Sequence, residues 1–264
     1  MSETPPNPWF RASVPPETHP FGVVVLVHGL NNRPSVMQPL AEALAEQGFH
    51  SYTVTLTGHS VCDWPAVDYA ATWKADIRAA AADARMTFPG LPVFALAYSL
   101  GATAVLESWD DAKPFDRLAF LAPAFAPNLR TRLLRFLTPL RVFGINLPSL
   151  ADPFYRAHPS TPLRAYRGYF DMIDNLRKSC PHATWRSTPS LVFMSEKDEL
   201  LSYDDTSEWI QRSTSEHWSI APLTPRPANP KTMRHLILDQ ASVGTEEWRA
   251  LVKELADFFR RARN

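Results

Sequence analysis

Short apolar segments alternate with helical segments along most of this chain, and this alternation limits the fold more than any other feature. The run from Val23 to Val27 is continuously apolar, a pattern typical of a central strand that is covered on both faces. Further strands are predicted at 52–56, 92–97, 117–121, 191–194 and 218–223, with helices from about 35, over 66–88 and 100–110, and at the C-terminal end. Such alternation indicates an α/β fold, with a mostly parallel sheet between two layers of helices.

One interval interrupts this rhythm and is expected to form a separate unit. Residues 124–187 contain many apolar and aromatic side chains among several arginines, but no convincing buried strand. An insertion of this size over a parallel sheet predicts a helical lid or cap. The predicted division is therefore a proline-rich N-terminal arm over 1–20, a core formed by 21–123 and 188–264, and a lid over 124–187.

Composition excludes several classes of function. Lys plus Arg and Asp plus Glu both number 27, so net charge gives no attraction to nucleic acid. No apolar run reaches the roughly 18 residues of a membrane helix, and the first twenty residues lack the apolar region of a signal peptide. With only two cysteines, the sequence favours a reduced, cytoplasmic protein. It predicts no integral membrane segment and leaves the oligomeric state open, while the apolar lid allows a peripheral membrane contact.

Motifs for cofactors and metals are missing as well. Neither G-x-G-x-x-G nor a P-loop pattern occurs, so we expect no nucleotide cofactor. Cys62 lies near His59, and Cys180 lies near His182. Neither pair has the second pair of ligands that a tetrahedral zinc site needs, so we expect no metal and no other cofactor.

A serine at a predicted strand-to-helix turn is the first candidate for chemistry. Ser99 lies in Ala97-Tyr98-Ser99-Leu100-Gly101, directly after a buried strand and directly before a helix. A serine on such a turn is presented at the carboxyl edge of the sheet, where parallel α/β folds bind ligands. The simpler interpretation is a serine that only caps the helix. Cys180 is a weaker nucleophile candidate because no strand precedes it.

A serine hydroxyl needs a base, and the base needs an orienting acid. Asp198 follows a late strand and is the predicted acid. His235 follows the last strand and is the predicted base, because His217 lies before that strand, at the wrong edge of a parallel sheet. The competing acids, which could equally be solvated surface charges, are Glu196, Glu199, Asp204 and Asp205.

Acyl transfer also needs donors for the oxyanion. The backbone N–H of Leu100, at the start of the predicted helix, is one candidate. The loop His28-Gly29-Leu30 after the first central strand supplies the other, the N–H of Leu30. His28 is then expected to order this loop rather than to act as a base.

Together these motifs resemble the monoacylglycerol lipase and serine aminopeptidase-type branch of the α/β-hydrolases. The resemblance spans about residues 21–260 and is carried by Val27-His28-Gly29-Leu30, Ala41-Glu42-Ala43-Leu44, Gly48-Phe49, Gly58-His59-Ser60, the turn at Ser99, Asp198 and His235. It implies an α/β-hydrolase fold, with Ser99 as nucleophile, His235 as base and Asp198 as orienting acid. Three positions depart from the branch: Ala97 replaces Gly, Tyr98 stands where many members have His, and Thr55 stands where Asp is usual.

The expected function is hydrolysis of a small-molecule carboxylic ester through an acyl-enzyme on Ser99. The apolar lid residues are expected to line an acyl or alcohol pocket. A monoglyceride or lysophospholipid preference is implied by the resemblance alone. A peptidase or thioesterase with the same triad, and a non-catalytic relative that binds a ligand under the lid, are the alternatives.

Overall fold

A central sheet of seven strands organises the chain. The computed structural model describes residues 10–14, 19–60, 64–109, 113–180, 183–214 and 216–261. The strands of the sheet are β1 (Phe10–Ala12), β2 (Gly22–Val27), β3 (Phe49–Val54), β4 (Val93–Tyr98), β5 (Arg117–Leu121), β8 (Ser190–Ser195) and β9 (Trp218–Leu223). Their spatial order is β1-β3-β2-β4-β5-β8-β9. All neighbours are parallel except β1, which pairs antiparallel with β3.

The predicted strands are confirmed, and their burial explains the apolar runs. Every residue of β2, β4 and β8 is buried, because helices cover both faces of the sheet. The strand β1 was not predicted, since it falls within the proline-rich region. It extends the sheet by pairing with residues 51–53.

Helices form a layer on each face of the sheet. They are α1 (Gln38–Glu46), α2 (Tyr69–Thr87), α3 (Leu100–Glu107), α4 (Leu129–Leu133), α5 (Leu163–Ser179), α6 (Tyr203–Ser213), α7 (Gln240–Val243) and α8 (Thr245–Arg260). On one face α1 packs with α8, whose Phe259 ring stacks on Phe94 of β4 at 4.9 Å. On the other face α2, α3 and α5 pack against one another. The predicted α/β architecture is therefore confirmed.

The interval 124–187 has two sections of different character. Its first section contains α4, a 3₁₀ helix (Leu134–Phe143) and a hairpin of β6 (Asn146–Pro148) with β7 (Ser160–Pro162). Thirteen large apolar side chains are exposed among the described residues, and ten of them lie between 129 and 154. The second section, α5, buries one face against α2 and α3. The division into arm, core and lid stays a prediction.

Candidate active site

A strained turn presents Ser99 between β4 and α3. Its backbone has φ 50° and ψ −116°, a conformation that costs a non-glycine residue about 1–3 kcal/mol. The turn also brings α3 close to β2, since a Cβ on Gly101 would lie 2.7 Å from the carbonyl oxygens of His28 and Val27. Ala97, where the branch has Gly, is an ordinary buried residue of β4 in register with Phe120.

Three of the predicted site residues meet in one chain of hydrogen bonds. The Nε2 atom of His235 lies 3.0 Å from Ser99 Oγ, and its Nδ1 atom lies 2.8 Å from Asp198 Oδ2. Because a carboxylate oxygen accepts, Nδ1 carries the proton and Nε2 is left to accept from the serine hydroxyl. The Asp198 side chain is fully buried and that of His235 is 8% exposed. This arrangement can move a proton from Ser99 to His235.

The acid is fixed by the loop that follows β8. Asp198 Oδ1 accepts the backbone N–H groups of Leu200 and Leu201 at 2.8 and 2.9 Å, which leaves Oδ2 for His235. Asn128 ties the same loop to the region after β5, because its Nδ2 donates to Glu199 O and its N–H donates to Leu200 O. The carboxylate therefore has little freedom to turn away from the imidazole.

The competing acids and bases lie elsewhere. Glu196 is exposed, while Asp204 and Asp205 occupy the first turn of α6. His217 is exposed and directly precedes β9, at the amino edge of the sheet. Cys180 follows α5, and its thiol contacts Ser213 O at 3.6 Å. None of these five appears in the hydrogen-bond chain of Ser99, His235 and Asp198 within the described residues.

Two further residues hold the backbone of His235, and no local sequence pattern indicates either role. The Glu199 carboxylate accepts the N–H of Arg234 at 3.0 Å and the N–H of His235 at 3.1 Å. Tyr98 donates its hydroxyl to His235 O at 3.2 Å, and the two rings lie 5.3 Å apart. Burial, together with the nearby Asp198 and Glu199, raises the pKa of Tyr98, so its hydroxyl keeps the proton that it donates.

The predicted oxyanion donors lie at the start of α3 and in the loop after β2. Leu100 is the first residue of α3, and Leu30 is half-buried in the loop after β2. Within the described residues, the N–H groups of Leu30 and Leu100 have no hydrogen-bond acceptor. Both can donate to an oxygen that develops negative charge.

Two buried histidines order the loop that carries Leu30. His28 Nε2 accepts the N–H of Leu56, and its Nδ1 donates to Gly29 O. His59 Nε2 accepts the N–H of Asn31 at 2.8 Å. Burial lowers the pKa of His28 to about 4 and also lowers that of His59, where the neighbouring His28 adds to the effect. Both rings are therefore neutral near pH 7, as their acceptor nitrogens require.

The same loop contacts the middle of the 124–187 interval. The Asn31 side chain pairs with the backbone of His158, donating to its carbonyl oxygen and accepting from its N–H, both at 2.9 Å. Tyr155 donates to Asp239 Oδ2 at 2.8 Å, in the segment that follows His235. The 124–187 interval is thus attached next to both the predicted oxyanion loop and the histidine loop.

No cluster of three or more potential metal ligands occurs within the described residues. Cys62 and His182, which belong to the two Cys–His pairs, lie outside those residues. Among the helices of the described residues, none is both long enough and apolar enough to cross a lipid bilayer.

Comparison with known proteins identifies the family. The sequence profile of the serine aminopeptidase S33 hydrolases matches residues 18–151, just over half of the chain. The chain belongs to this family. The matched region runs from β2 through β6, within the 124–187 interval, and includes Ser99, Leu30 and Leu100. Among curated proteins, no sequence matches.

Solved structures share the fold over almost the whole chain. A soluble variant of monoglyceride lipase from Saccharomyces cerevisiae aligns with a TM-score of 0.74 at 13% identity, covering 96% of this chain and 90% of its own. A monoacylglycerol lipase from Paleococcus ferrophilus gives 0.66 at 18%, covering 95% and 99%. A carboxyl esterase from Bacillus coagulans gives 0.71 at 13%, covering 95% and 94%. The fold of this family member is therefore the α/β-hydrolase fold.

Proposed function

We propose that this chain is a serine hydrolase that cleaves small-molecule carboxylic esters, with Ser99 as nucleophile, His235 as base and Asp198 as orienting acid. The observation that carries the proposal is the hydrogen-bond chain of 3.0 and 2.8 Å through His235, built on a strained turn at Ser99. Backbone strain at a buried polar site is typical of a group held ready for chemistry. The lipase and esterase names of the structural neighbours agree with this proposal.

The proposed reaction has two halves. In the first, Ser99 Oγ attacks the ester carbonyl carbon and its proton passes to His235 Nε2, which then gives that proton to the departing alcohol. In the second, a water attacks the acyl-enzyme, its proton passes to His235, and the acid leaves as Ser99 regains its proton. The N–H groups of Leu30 and Leu100 stabilise the tetrahedral oxyanion in both halves.

Esters are favoured over peptides by the charge of the surroundings. An aminopeptidase must bind the positive α-amino group of its substrate, which calls for a carboxylate near the nucleophile. Asp198 and Glu199 are both occupied by the histidine loop, and Asp239 accepts from Tyr155. No acidic residue occurs between Asp116 and Asp152. An uncharged ester with an apolar chain fits these surroundings better.

A serine-directed fluorophosphonate probe and a substrate panel test the proposal. The panel contains p-nitrophenyl esters of increasing chain length, a thioester and an aminoacyl p-nitroanilide. We expect probe labelling and ester turnover in the wild type and in Ser179→Ala, an exposed serine at the end of α5, and neither in Ser99→Ala. Turnover of the anilide or thioester alone would favour a peptidase or thioesterase, and a folded protein without labelling would favour a non-catalytic relative.

We also propose that the exposed section of the lid, residues 129–154, makes a peripheral contact with lipid surfaces. Its most exposed apolar side chains are Phe136 at 77%, Val142 and Phe143 at 74% each and Leu150 at 94%. Exposed apolar patches of this kind mark interaction sites. Arg135 pairs with Asp174, while Arg130, Arg132 and Arg141 lie in a section that has no acid before Asp152 and suit a negatively charged bilayer.

Vesicle co-sedimentation tests this contact. Phe136→Glu is expected to reduce binding to vesicles that contain an anionic phospholipid. Met86→Glu, on α2 and similarly exposed at 74%, is expected to leave the binding unchanged. Equal binding of both variants and the wild type would refute the proposed contact and leave the ester-hydrolase proposal intact.

A further inference from the structure

The predicted base lies in a segment that has no regular structure to hold it. Between the end of β9 at Leu223 and the start of α7 at Gln240, the described backbone forms neither helix nor strand. Beside His235, a local turn joins the N–H of Leu236 to Met233 O at 3.0 Å. A side chain on such a segment can keep short hydrogen bonds at both ring nitrogens only if something fixes its backbone.

Glu199 fixes the peptide group before His235. Its two carboxylate oxygens divide between two consecutive N–H groups, those of Arg234 and His235, at 3.0 and 3.1 Å. The Arg234 guanidinium also lies 3.6 Å from the same carboxylate. Hydrogen bonds to a charged acceptor are stronger than neutral ones, and two at once fix orientation as well as position.

Tyr98 fixes the peptide group after His235. Its hydroxyl donates to His235 O at 3.2 Å, and its side chain is almost fully buried. The ring lies 5.3 Å from the imidazole and so limits sideways movement of the histidine. The carbonyl of His235 is thus held from the end of β4, and its N–H is held from the loop after β8.

We propose that Glu199 and Tyr98 are positioning residues that together set the place of His235 for the reaction. Each directly adjoins another triad member in the chain, since Glu199 follows Asp198 and Tyr98 precedes Ser99. Any shift of the histidine loop relative to the acid or the nucleophile must therefore stretch one of these contacts. The proposal rests on the proposed function, because the place of His235 matters only if it is the base.

Substitutions at Glu199 test the first contact. Glu199→Ala is expected to lower kcat about tenfold to a hundredfold, the scale expected when a catalytic group moves by about 1 Å, with KM changed less than twofold. Glu199→Gln keeps one acceptor oxygen and is expected to recover part of this loss. The matched control is Glu196→Gln, an exposed acid in the same loop, which is expected to keep the wild-type kcat.

Tyr98→Phe tests the second contact, and is expected to lower kcat about threefold to tenfold with KM unchanged. Its control is Tyr69→Phe, which removes a tyrosine hydroxyl that also donates to a backbone carbonyl, Pro65 O at 2.6 Å, away from the triad. Wild-type kcat in both Tyr98→Phe and Glu199→Ala overturns the proposal.

Titration of Ser99 with the fluorophosphonate probe separates positioning from folding. The kcat per labelled site is expected to fall in the Glu199 and Tyr98 variants, together with the initial labelling rate. A wild-type kcat per labelled site would mean that only the folded fraction had changed, and would overturn the proposal. If Glu199→Ala does not fold, the kcat per labelled site of Glu199→Gln and of Tyr98→Phe tests the proposal in its place. Absence of labelling in the wild type would instead refute the proposed function.

Discussion

Acid is expected to unfold this protein through His28, a buried histidine whose charged form the fold cannot accommodate. Its pKa falls from 6.5 to about 4 on folding, so between these values the unfolded chain binds more protons than the folded one. Stability is therefore full above pH 6.5 and decreases as the pH falls toward 4. From pH 7 to pH 5 this residue alone removes about 2 kcal/mol of unfolding free energy. His59 acts in the same direction.

Urea unfolding at pH 7 and pH 5 measures this loss. The variant His28→Gln can still accept the N–H of Leu56, but its side chain does not titrate. Its loss of unfolding free energy between pH 7 and pH 5 is therefore expected to be about 2 kcal/mol smaller than that of the wild type. His217→Gln, at an exposed position, is expected to keep the wild-type loss. Equal losses in the wild type and His28→Gln would refute the reasoning. If His28→Gln does not fold, NMR titration of the His28 ring in the wild type replaces the comparison. Protonation of that ring near pH 6.5 would then refute the prediction.

Three further predictions concern the turn at Ser99 and the loop beside it. Gly101→Ala places a Cβ 2.7 Å from two backbone oxygens. It is expected to lower the free energy of unfolding in urea by about 1–3 kcal/mol and to slow probe labelling. Gly90→Ala, at an open turn, is the local comparison for the labelling rate. Ser99→Gly relieves the positive φ and is expected to be about 1 kcal/mol more stable than Ser99→Ala, with both inactive. Asn31→Ala removes two hydrogen bonds to His158 and is expected to cost about 1–3 kcal/mol; an unchanged unfolding midpoint would contradict that contact's role.

The strands of the core were predictable because burial on both faces leaves a direct trace in the sequence. Val23 to Val27 and 92–97 are apolar at every position of a central strand, and the structure places β2 and β4 there. The strand Phe10–Ala12 has no such trace, since it lies at the edge of the sheet and pairs with one neighbour. Edge strands need little apolar content, so composition does not reveal them.

The order of Ser99, Asp198 and His235 was readable because each follows a predicted strand, and the carboxyl ends of parallel strands share one edge of the sheet. The contacts that Glu199 and Tyr98 make with the backbone of His235 could not be predicted in the same way. Glu199 looked like a competing acid, and its pairing with two N–H groups depends on the conformation of the segment around His235. No local pattern encodes a contact between residues 36 positions apart in the chain.

The 124–187 interval shows a further limit. Apolar residues such as Phe136 and Phe170 look equivalent in the sequence, but Phe136 is 77% exposed and Phe170 is 2% exposed. The difference arises because α5 buries Phe170 on the face that it packs against the core, whereas the preceding 3₁₀ helix packs on α5 and leaves Phe136 on its outer side. Whether that section also lines an acyl pocket stays a prediction.

The role of Ser99 as nucleophile is tested by labelling the full chain with a fluorophosphonate probe and mapping the labelled peptide. We expect one phosphonylated peptide that contains Ser99. Labelling is expected to be abolished in Ser99→Ala and strongly slowed in His235→Ala, because the imidazole must accept the serine proton. Labelling that persists at the wild-type rate in Ser99→Ala, or that maps to another residue, would contradict that role.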